Sequence, residues 1–124
     1  MTSSPDLGAS PPAGALANAG AAGSGSKRPK AIMPEASQLP PGWTLDPEHP
    51  AILRSYRFRD FSEAFGFMTR AALIAEQMDH HPDWRNVWNR VDVLLTTHDA
   101  GGITVLDLEM ARRLDTIAGE FGRG

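Results

Sequence analysis

Residues 60–79 read DFSEAFGFMTRAALIAEQMD, a pattern that predicts one long amphipathic helix. Asp60 stands three residues before Glu63, a spacing typical of a capping box at a helix start. Apolar residues then recur at intervals of one to four, as one helical stripe requires: Phe61, Ala64, Phe65, Met68, Ala71, Ala72, Ala75 and Met78. We expect the helix to run to about Asp79 and Pro82 to end it, because the residue before a proline is pushed out of the helical region.

Strand-like segments lie on both sides of this helix. Upstream, GWTL (42–45) and ILRSYRF (52–58) flank the proline-punctuated turn DPEHP (46–50), which predicts a β-hairpin. Downstream, residues 86–98 are rich in β-branched side chains that alternate, with Val91, Val93, Leu95 and Thr97 on one face. The length of this segment suits two strands or one bent strand.

A second helix is predicted after the Gly101-Gly102 pair. Thr104 can cap it, with Asp107 at the third helical position. Its apolar stripe comprises Val105, Leu108, Ala111, Leu114, Ala118 and Phe121. The resulting order β-β-α-β-β-α predicts an α+β fold of two layers, a four-stranded antiparallel sheet with both helices packed on one face.

The first 37 residues differ from the rest in composition. They contain nine Ala, six Ser, five Gly and five Pro, and no aromatic residue or Val. Such a segment buries too little apolar surface to offset its ordering entropy, so we predict a disordered, dispensable tail over residues 1–37. All three Trp, all five Phe and the single Tyr fall in residues 38–124, which we predict to be the folded domain.

Composition also excludes several classes of function. With no cysteine, the chain forms no disulfide, Cys-ligated zinc site or iron–sulfur cluster, and a cytoplasmic location is expected. No apolar run is long enough to cross a membrane, and a net charge of −3 argues against a nucleic-acid partner. A domain of this size buries limited surface, which favours a homo-oligomer, dimer or tetramer.

Three of the four histidines, His80, His81 and His98, fall at predicted element ends, where sites are usually built. Glu76 precedes His80 by four residues, so on a helix reaching that far its carboxylate can orient the imidazole. Trp84 and Trp88 offer flat apolar walls nearby. This combination predicts a proton-transferring site beside a surface for a planar ligand.

These residues also carry a resemblance to a known family. The string Glu76-x3-His80-His81-Pro82-x5-Trp88-x9-His98-x8-Asp107 resembles the signature of the pterin-4a-carbinolamine dehydratases, also called 4a-hydroxytetrahydrobiopterin dehydratases. The similarity spans roughly residues 43–117 and includes the segments around DHHPDWRNVWN (79–89) and THDAGGIT (97–104).

The resemblance implies a hydro-lyase that dehydrates 4a-hydroxytetrahydropterin to quinonoid dihydropterin and so recycles the pterin used by aromatic amino acid hydroxylases. No cofactor is implied, because the pterin is the substrate. His80, His81 and His98 correspond to the family's active-site histidines. Further positions fall where the family contacts or supports the pterin: Asp79, Thr96 and Thr97, with Asp107 as the signature acid.

Alternatives remain at this stage. Asp107 can stabilise the helix start without any catalytic role, and Trp84 and Trp88 can be core or interface residues. A His/Asp metal site is a rival reading, because these side chains bind zinc or iron. The same fold can also serve as a non-catalytic dimerisation or regulatory module, because animal members of the resembled family also act as dimerisation partners of a homeodomain transcription factor.

Overall fold

The computed structural model describes residues 29–122 and contains four strands and two long helices in that range. In chain order the elements are β1 (Thr44–Leu45), β2 (Ile52–Arg57), α1 (Phe61–Met78), β3 (Asp83–Val87), β4 (Arg90–Leu95) and α2 (Val105–Glu120). The sheet order is β1-β2-β4-β3 with every pair antiparallel. The predicted α+β fold is therefore confirmed.

The core lies between one face of the sheet and the two helices. Val91, Val93 and Leu95 on β4 are fully or almost fully buried, whereas Asp92 and Leu94 between them are only half-buried, as the alternation predicts. The helices contribute Ala64, Phe67, Ala71, Ala75, Met110, Ala111, Leu114 and Ala118. This core holds the helices over the central strands β2 and β4.

The predicted stripe of α1 is wider than the face that the sheet covers. Phe61 and Phe65, expected in the core, are 49% and 54% exposed, whereas Phe67, outside the predicted stripe, is fully buried. At 100° per residue, Ala64, Phe67 and Ala71 lie on one side of the helix and the two exposed rings lie on another. Apolar spacing alone did not show which side the sheet would cover.

The start of α1 agrees with the predicted Asp60 cap, whereas its end differs in detail from the prediction. At the start, the Asp60 carboxylate accepts the N–H of Glu63 at 2.9 Å, a bond that holds the pKa of Asp60 below its usual range. At the end, Asp79 adopts the left-handed conformation (φ 50°, ψ 44°), so the helix stops at Met78, four residues before Pro82. The left-handed cap, rather than the proline, ends the helix.

The β segment that follows α1 forms two strands rather than one bent strand. β3 and β4 pair antiparallel across the two-residue turn Trp88-Asn89, with Val87 opposite Arg90. Trp88 has a positive φ of 51°. The Asn86 side-chain amide donates to the carbonyls of Trp88 and Arg90 at 3.1 and 2.9 Å, which closes this turn.

Packing begins earlier than the boundary predicted at residue 38. The Ile32 N–H donates to the Ile103 carbonyl at 2.7 Å, Pro34 is buried, and a short 3-10 helix spans Ala36–Gln38. Average composition concealed these two apolar residues, and the domain includes at least residues 32–37. The prediction for residues 1–28 lies outside the described residues. Within residues 29–122, no helix is long and apolar enough to span a membrane.

Candidate active site

Asp107 is the centre of the site. It occupies the third position of α2 and is fully buried. One carboxylate oxygen contacts His80 Nε2 at 2.6 Å, and the other accepts the Thr97 hydroxyl at 2.8 Å and the Thr104 N–H at 2.9 Å. Asp107 therefore stabilises the start of the helix, as expected, and also contacts a histidine. That histidine is His80.

His80 lies inside the protein because of the left-handed turn before it. After Asp79 the chain folds back, the His80 N–H donates to the Ala75 carbonyl at 3.0 Å, and only 6% of the residue stays exposed. A buried carboxylate on one nitrogen of an imidazole fixes its tautomer and its orientation. The contact with Asp107 therefore holds the His80 ring in place at the start of α2.

The predicted pairing of Glu76 with His80 is wrong. Glu76 instead contacts His81 Nε2 at 2.6 Å, and both side chains are exposed. The prediction required the helix to continue to residue 80, where positions four apart share a face. Since the helix ends at Met78, the chain direction changes and His81, not His80, meets the carboxylate.

His98 is exposed and lines a depression of about 390 Å³ at the end of β4. It begins a 3-10 turn, His98–Ala100, that leaves the sheet after Thr97. The Thr97 N–H donates to the Gly102 carbonyl at 2.8 Å and its hydroxyl bonds Asp107, so both its backbone and its side chain are held. One carboxylate thus fixes His80 directly and the base of the His98 turn through Thr97.

The remaining predicted site residues are distributed around this centre. The Thr96 hydroxyl donates to the Pro50 carbonyl at 2.8 Å and lines the His98 depression, and Asp79 is exposed at the helix cap. Trp84 is half-buried against the core and borders a larger hollow of about 470 Å³ on the open sheet face. Trp88 is 64% exposed at the hairpin turn, and among the described residues neither tryptophan lines the His98 depression.

The metal-site alternative gains no support. Within residues 29–122, no group of three or more His, Asp or Glu side chains is arranged to hold a metal ion. Nε2 of His80 and Nε2 of His81 are each already hydrogen-bonded to a carboxylate.

The sequence reasoning missed His49. This histidine lies in the turn before β2, borders the same depression as His98, and places Nδ1 3.1 Å from a carboxylate oxygen of Asp46. The other Asp46 oxygen accepts the Glu48 N–H at 2.9 Å, a bond that lowers the pKa of Asp46 below its usual range. His49 comes close to His98 because β2 pairs with β4, and the sequence gives no sign of which strands pair.

Fold and site together define a two-layer α+β protein in which a buried His–Asp pair is connected through Thr97 to the strand end beside a histidine-lined depression. The sequence model of the family described as pterin 4 alpha carbinolamine dehydratase matches residues 27–117. The chain belongs to this family.

Similar proteins agree with this membership. A protein of Bradyrhizobium sp. (strain BTAi1), provisionally named pterin-4-alpha-carbinolamine dehydratase, is 62% identical over 77 residues, covering 62% of this chain and 78% of the relative. One of Rhodopseudomonas palustris (strain HaA2) with the same provisional name is 56% identical over 88 residues, covering 71% and 87%.

Solved structures show the same fold. A transcriptional coactivator/pterin dehydratase from Brucella melitensis is 56% identical with a TM-score of 0.63, covering 64% of this chain and 84% of that one. A pterin dehydratase-like protein described as a RuBisCO assembly factor in the alpha-carboxysome has a TM-score of 0.56 at 19% identity, covering 63% and 90%. The latter likeness concerns the fold alone.

Proposed function

We propose that this chain dehydrates 4a-hydroxytetrahydropterin to quinonoid dihydropterin and water, and thereby recycles the pterin of aromatic amino acid hydroxylases in the cytoplasm. Family membership supports the reaction class. The observation that carries the proposal is the Asp107 carboxylate, which contacts His80 and holds Thr97 next to His98. One buried carboxylate thus contacts the His80 imidazole and also holds the residue that precedes His98.

The reaction needs only proton transfer. The bond between carbon 4a and the hydroxyl oxygen breaks as an acid protonates the leaving oxygen, which departs as water. A base removes the proton on nitrogen 5, and the electron pair left there forms the carbon 4a–nitrogen 5 double bond. Nothing is oxidised or reduced. Imidazole suits both steps, because its unperturbed pKa of about 6.5 lies near neutral pH.

Roles can be divided among the three histidines. Carbon 4a is a stereocentre, so the hydroxyl can leave from either face of the ring, and two acids from different elements can each serve one epimer. We assign these acids to His80, supported by Asp107, and to His98 on its 3-10 turn. His81, exposed and paired with Glu76, is assigned to holding the pterin.

The other predicted residues have supporting roles. Thr97 acts through Asp107, because its hydroxyl is bonded to that carboxylate. Thr96 borders the His98 depression and is placed to contact the substrate, whereas Asp79 is placed beside His80. Trp84 is assigned to packing against the core.

The test is turnover of each purified 4a-epimer by single-histidine variants. His80→Ala and His98→Ala should each lower kcat by about 10²- to 10⁴-fold, with opposite epimer preference, because each removes a positioned acid. His81→Ala should chiefly raise KM. Near-normal turnover of both epimers by all three folded variants would refute the proposal.

A chelator arm separates this chemistry from the metal alternative. Turnover should be unchanged after treatment with a strong chelator and dialysis. Loss of turnover that added zinc or iron restores would favour a metal-dependent reaction instead.

A further inference from the structure

His49 and His98 lie at the ends of two adjacent strands. β2 and β4 pair antiparallel with Ile52 opposite Leu95. Extending that register three residues beyond the ladder brings position 49 opposite position 98. The segments that precede β2 and follow β4 stay side by side there, because the Thr96 hydroxyl donates to the Pro50 carbonyl at 2.8 Å.

His49 and His98 both line the same depression of about 390 Å³. Its other polar lining comes from Asp83 at the start of β3 and Thr96 at the end of β4. A substrate that binds in this depression with its reacting atoms facing His98 therefore also lies near His49, which is at the end of the neighbouring strand. His49 is one of four histidines in the chain, and the proposed reaction assigns a role only to the other three.

Asp46 gives the His49 ring a defined orientation. One Asp46 oxygen lies 3.1 Å from His49 Nδ1, and the other is fixed by the Glu48 N–H. With Nδ1–H donated to the carboxylate, Nε2 is left to interact with a ligand, as an acceptor when the ring is neutral and as a donor when it is protonated. This arrangement exceeds what a turn needs, since the Glu48 N–H bond to Asp46 already closes it.

We infer that His49, oriented by Asp46, is a further substrate-contacting residue that hydrogen-bonds a polar group of the pterin through Nε2. The expected change in KM rests on the proposed dehydration, whereas the expected contact between His49 and bound pterin can be measured without turnover. His49 adds affinity rather than acid catalysis, so its loss affects KM more than kcat.

The kinetic test compares His49→Ala, His49→Gln and Glu48→Ala in the full chain. Loss of one hydrogen bond to the ligand should raise KM about 5- to 20-fold in His49→Ala, with kcat changed less than about 2-fold. His49→Gln keeps a polar terminus and should recover part of the affinity. Glu48→Ala is the matched control, because it alters the same exposed turn while keeping the backbone N–H that bonds Asp46.

The binding test needs no turnover. An oxidised, unreactive pterin is titrated into the full chain while the ring resonances of the four histidines are followed by NMR, with His49 assigned by its absence in His49→Gln. The His49 resonance should shift with the same saturation curve as that of His98. If pterin binds and turnover persists but His49 does not shift and KM stays unchanged in His49→Ala, the inference is wrong and the proposed function stands. If no pterin binds and no turnover occurs, the proposed function and the inference both fail.

Discussion

Asp107 shows how much can depend on a single carboxylate. It is fully buried and receives three hydrogen bonds, from His80, Thr97 and the N–H of Thr104. Removing one partner from such a buried pair typically costs about 3 to 5 kcal/mol, because the other polar group is left without compensation. Asp107 therefore affects both the stability of the protein and the tautomer of His80.

We predict that Asp107→Asn lowers kcat by about 10²- to 10⁴-fold, because the new amide can donate to His80 Nε2 and so favour the other tautomer. Steady-state turnover measures the loss, and circular dichroism verifies that the variant is folded. The matched control is Asp115→Asn on the same helix, whose carboxylate lies outside the site. It should lower stability but leave kcat within a few-fold, and an equal loss of kcat in both variants would contradict the assignment.

Tyr56 is the only tyrosine in the chain and belongs to a second polar cluster, away from the histidines. It is 1% exposed, and its hydroxyl donates to Asp115. The same carboxylate oxygen accepts Trp43 Nε1 at 3.0 Å and Arg54 Nη1 at 2.8 Å. Burial, and then the bond to Asp115, raise the pKa of Tyr56 well above its ordinary value. The cluster ties α2 to the sheet.

This shift predicts alkaline destabilisation. Above pH of about 10 the unfolded chain loses the tyrosine proton while the folded protein keeps it, so the free energy of unfolding should fall by about 1.4 kcal/mol per pH unit. Below that pH the contribution of Tyr56 is fully present. Urea unfolding between pH 9 and 11 measures the slope, and tyrosinate absorbance should appear only as the protein unfolds. Tyr56→Phe is the control, and an equally steep decline in it would exclude Tyr56 as the cause.

At the scale of elements, two left-handed residues redirect the chain. Asp79 ends α1 and allows His80 to turn inward, and Trp88 forms the tight turn between β3 and β4. Aspartate tolerates this conformation well, because its short side chain bonds locally, whereas tryptophan pays a steric cost of about 1–2 kcal/mol. The strain at Trp88 is not offset by burial, since the residue is 64% exposed.

Trp88→Gly should therefore stabilise the hairpin. Relief of the strain outweighs the roughly 0.4–1 kcal/mol of unfolded-state entropy that glycine adds, which leaves a net gain of several tenths to about 1 kcal/mol. Urea denaturation measures the change. Asn86→Ala is the opposite variant in the same turn, since it removes the amide that bonds the Trp88 and Arg90 carbonyls, and it should destabilise. A Trp88→Gly protein less stable than the parent would show that the indole makes a stabilising contact.

At the scale of the molecule, α1 has an apolar side that the sheet leaves uncovered. Phe61, Phe65 and Leu73 are 49%, 54% and 64% exposed and project over the same third of the helix. A domain this small buries limited surface on its own, and exposed apolar patches mark association sites. The homo-oligomer expected from the sequence stays a prediction, now with a candidate surface.

We predict an oligomer at micromolar concentration by light scattering. Phe65→Glu combined with Leu73→Glu should shift the mass toward the monomer, because charges would be buried on association. Thr116→Glu, which places a charge at an exposed position on the other helix, is the control and should leave the mass unchanged. A monomeric mass for the unmodified protein at this concentration would show that the prediction is wrong.

The sequence by itself determined the element order, the buried face of β4 and the residue types of the site. These features are local, since periodicity, capping residues and turn residues act over a few positions. The family signature likewise lies in the linear spacing of its residues. For this reason the α+β fold was predictable, and His80, His98 and Asp107 could be named as candidate site residues.

Only the tertiary structure decided which partners these residues have. Asp107 pairs with His80, 27 residues away, and not with His98, because the start of α2 lies beside the end of α1. Glu76 meets His81 because a left-handed residue ends the helix early, and His49 joins His98 because β2 and β4 are neighbours in the sheet. Each of these contacts depends on how whole elements pack, and packing depends on surfaces brought together from distant parts of the chain.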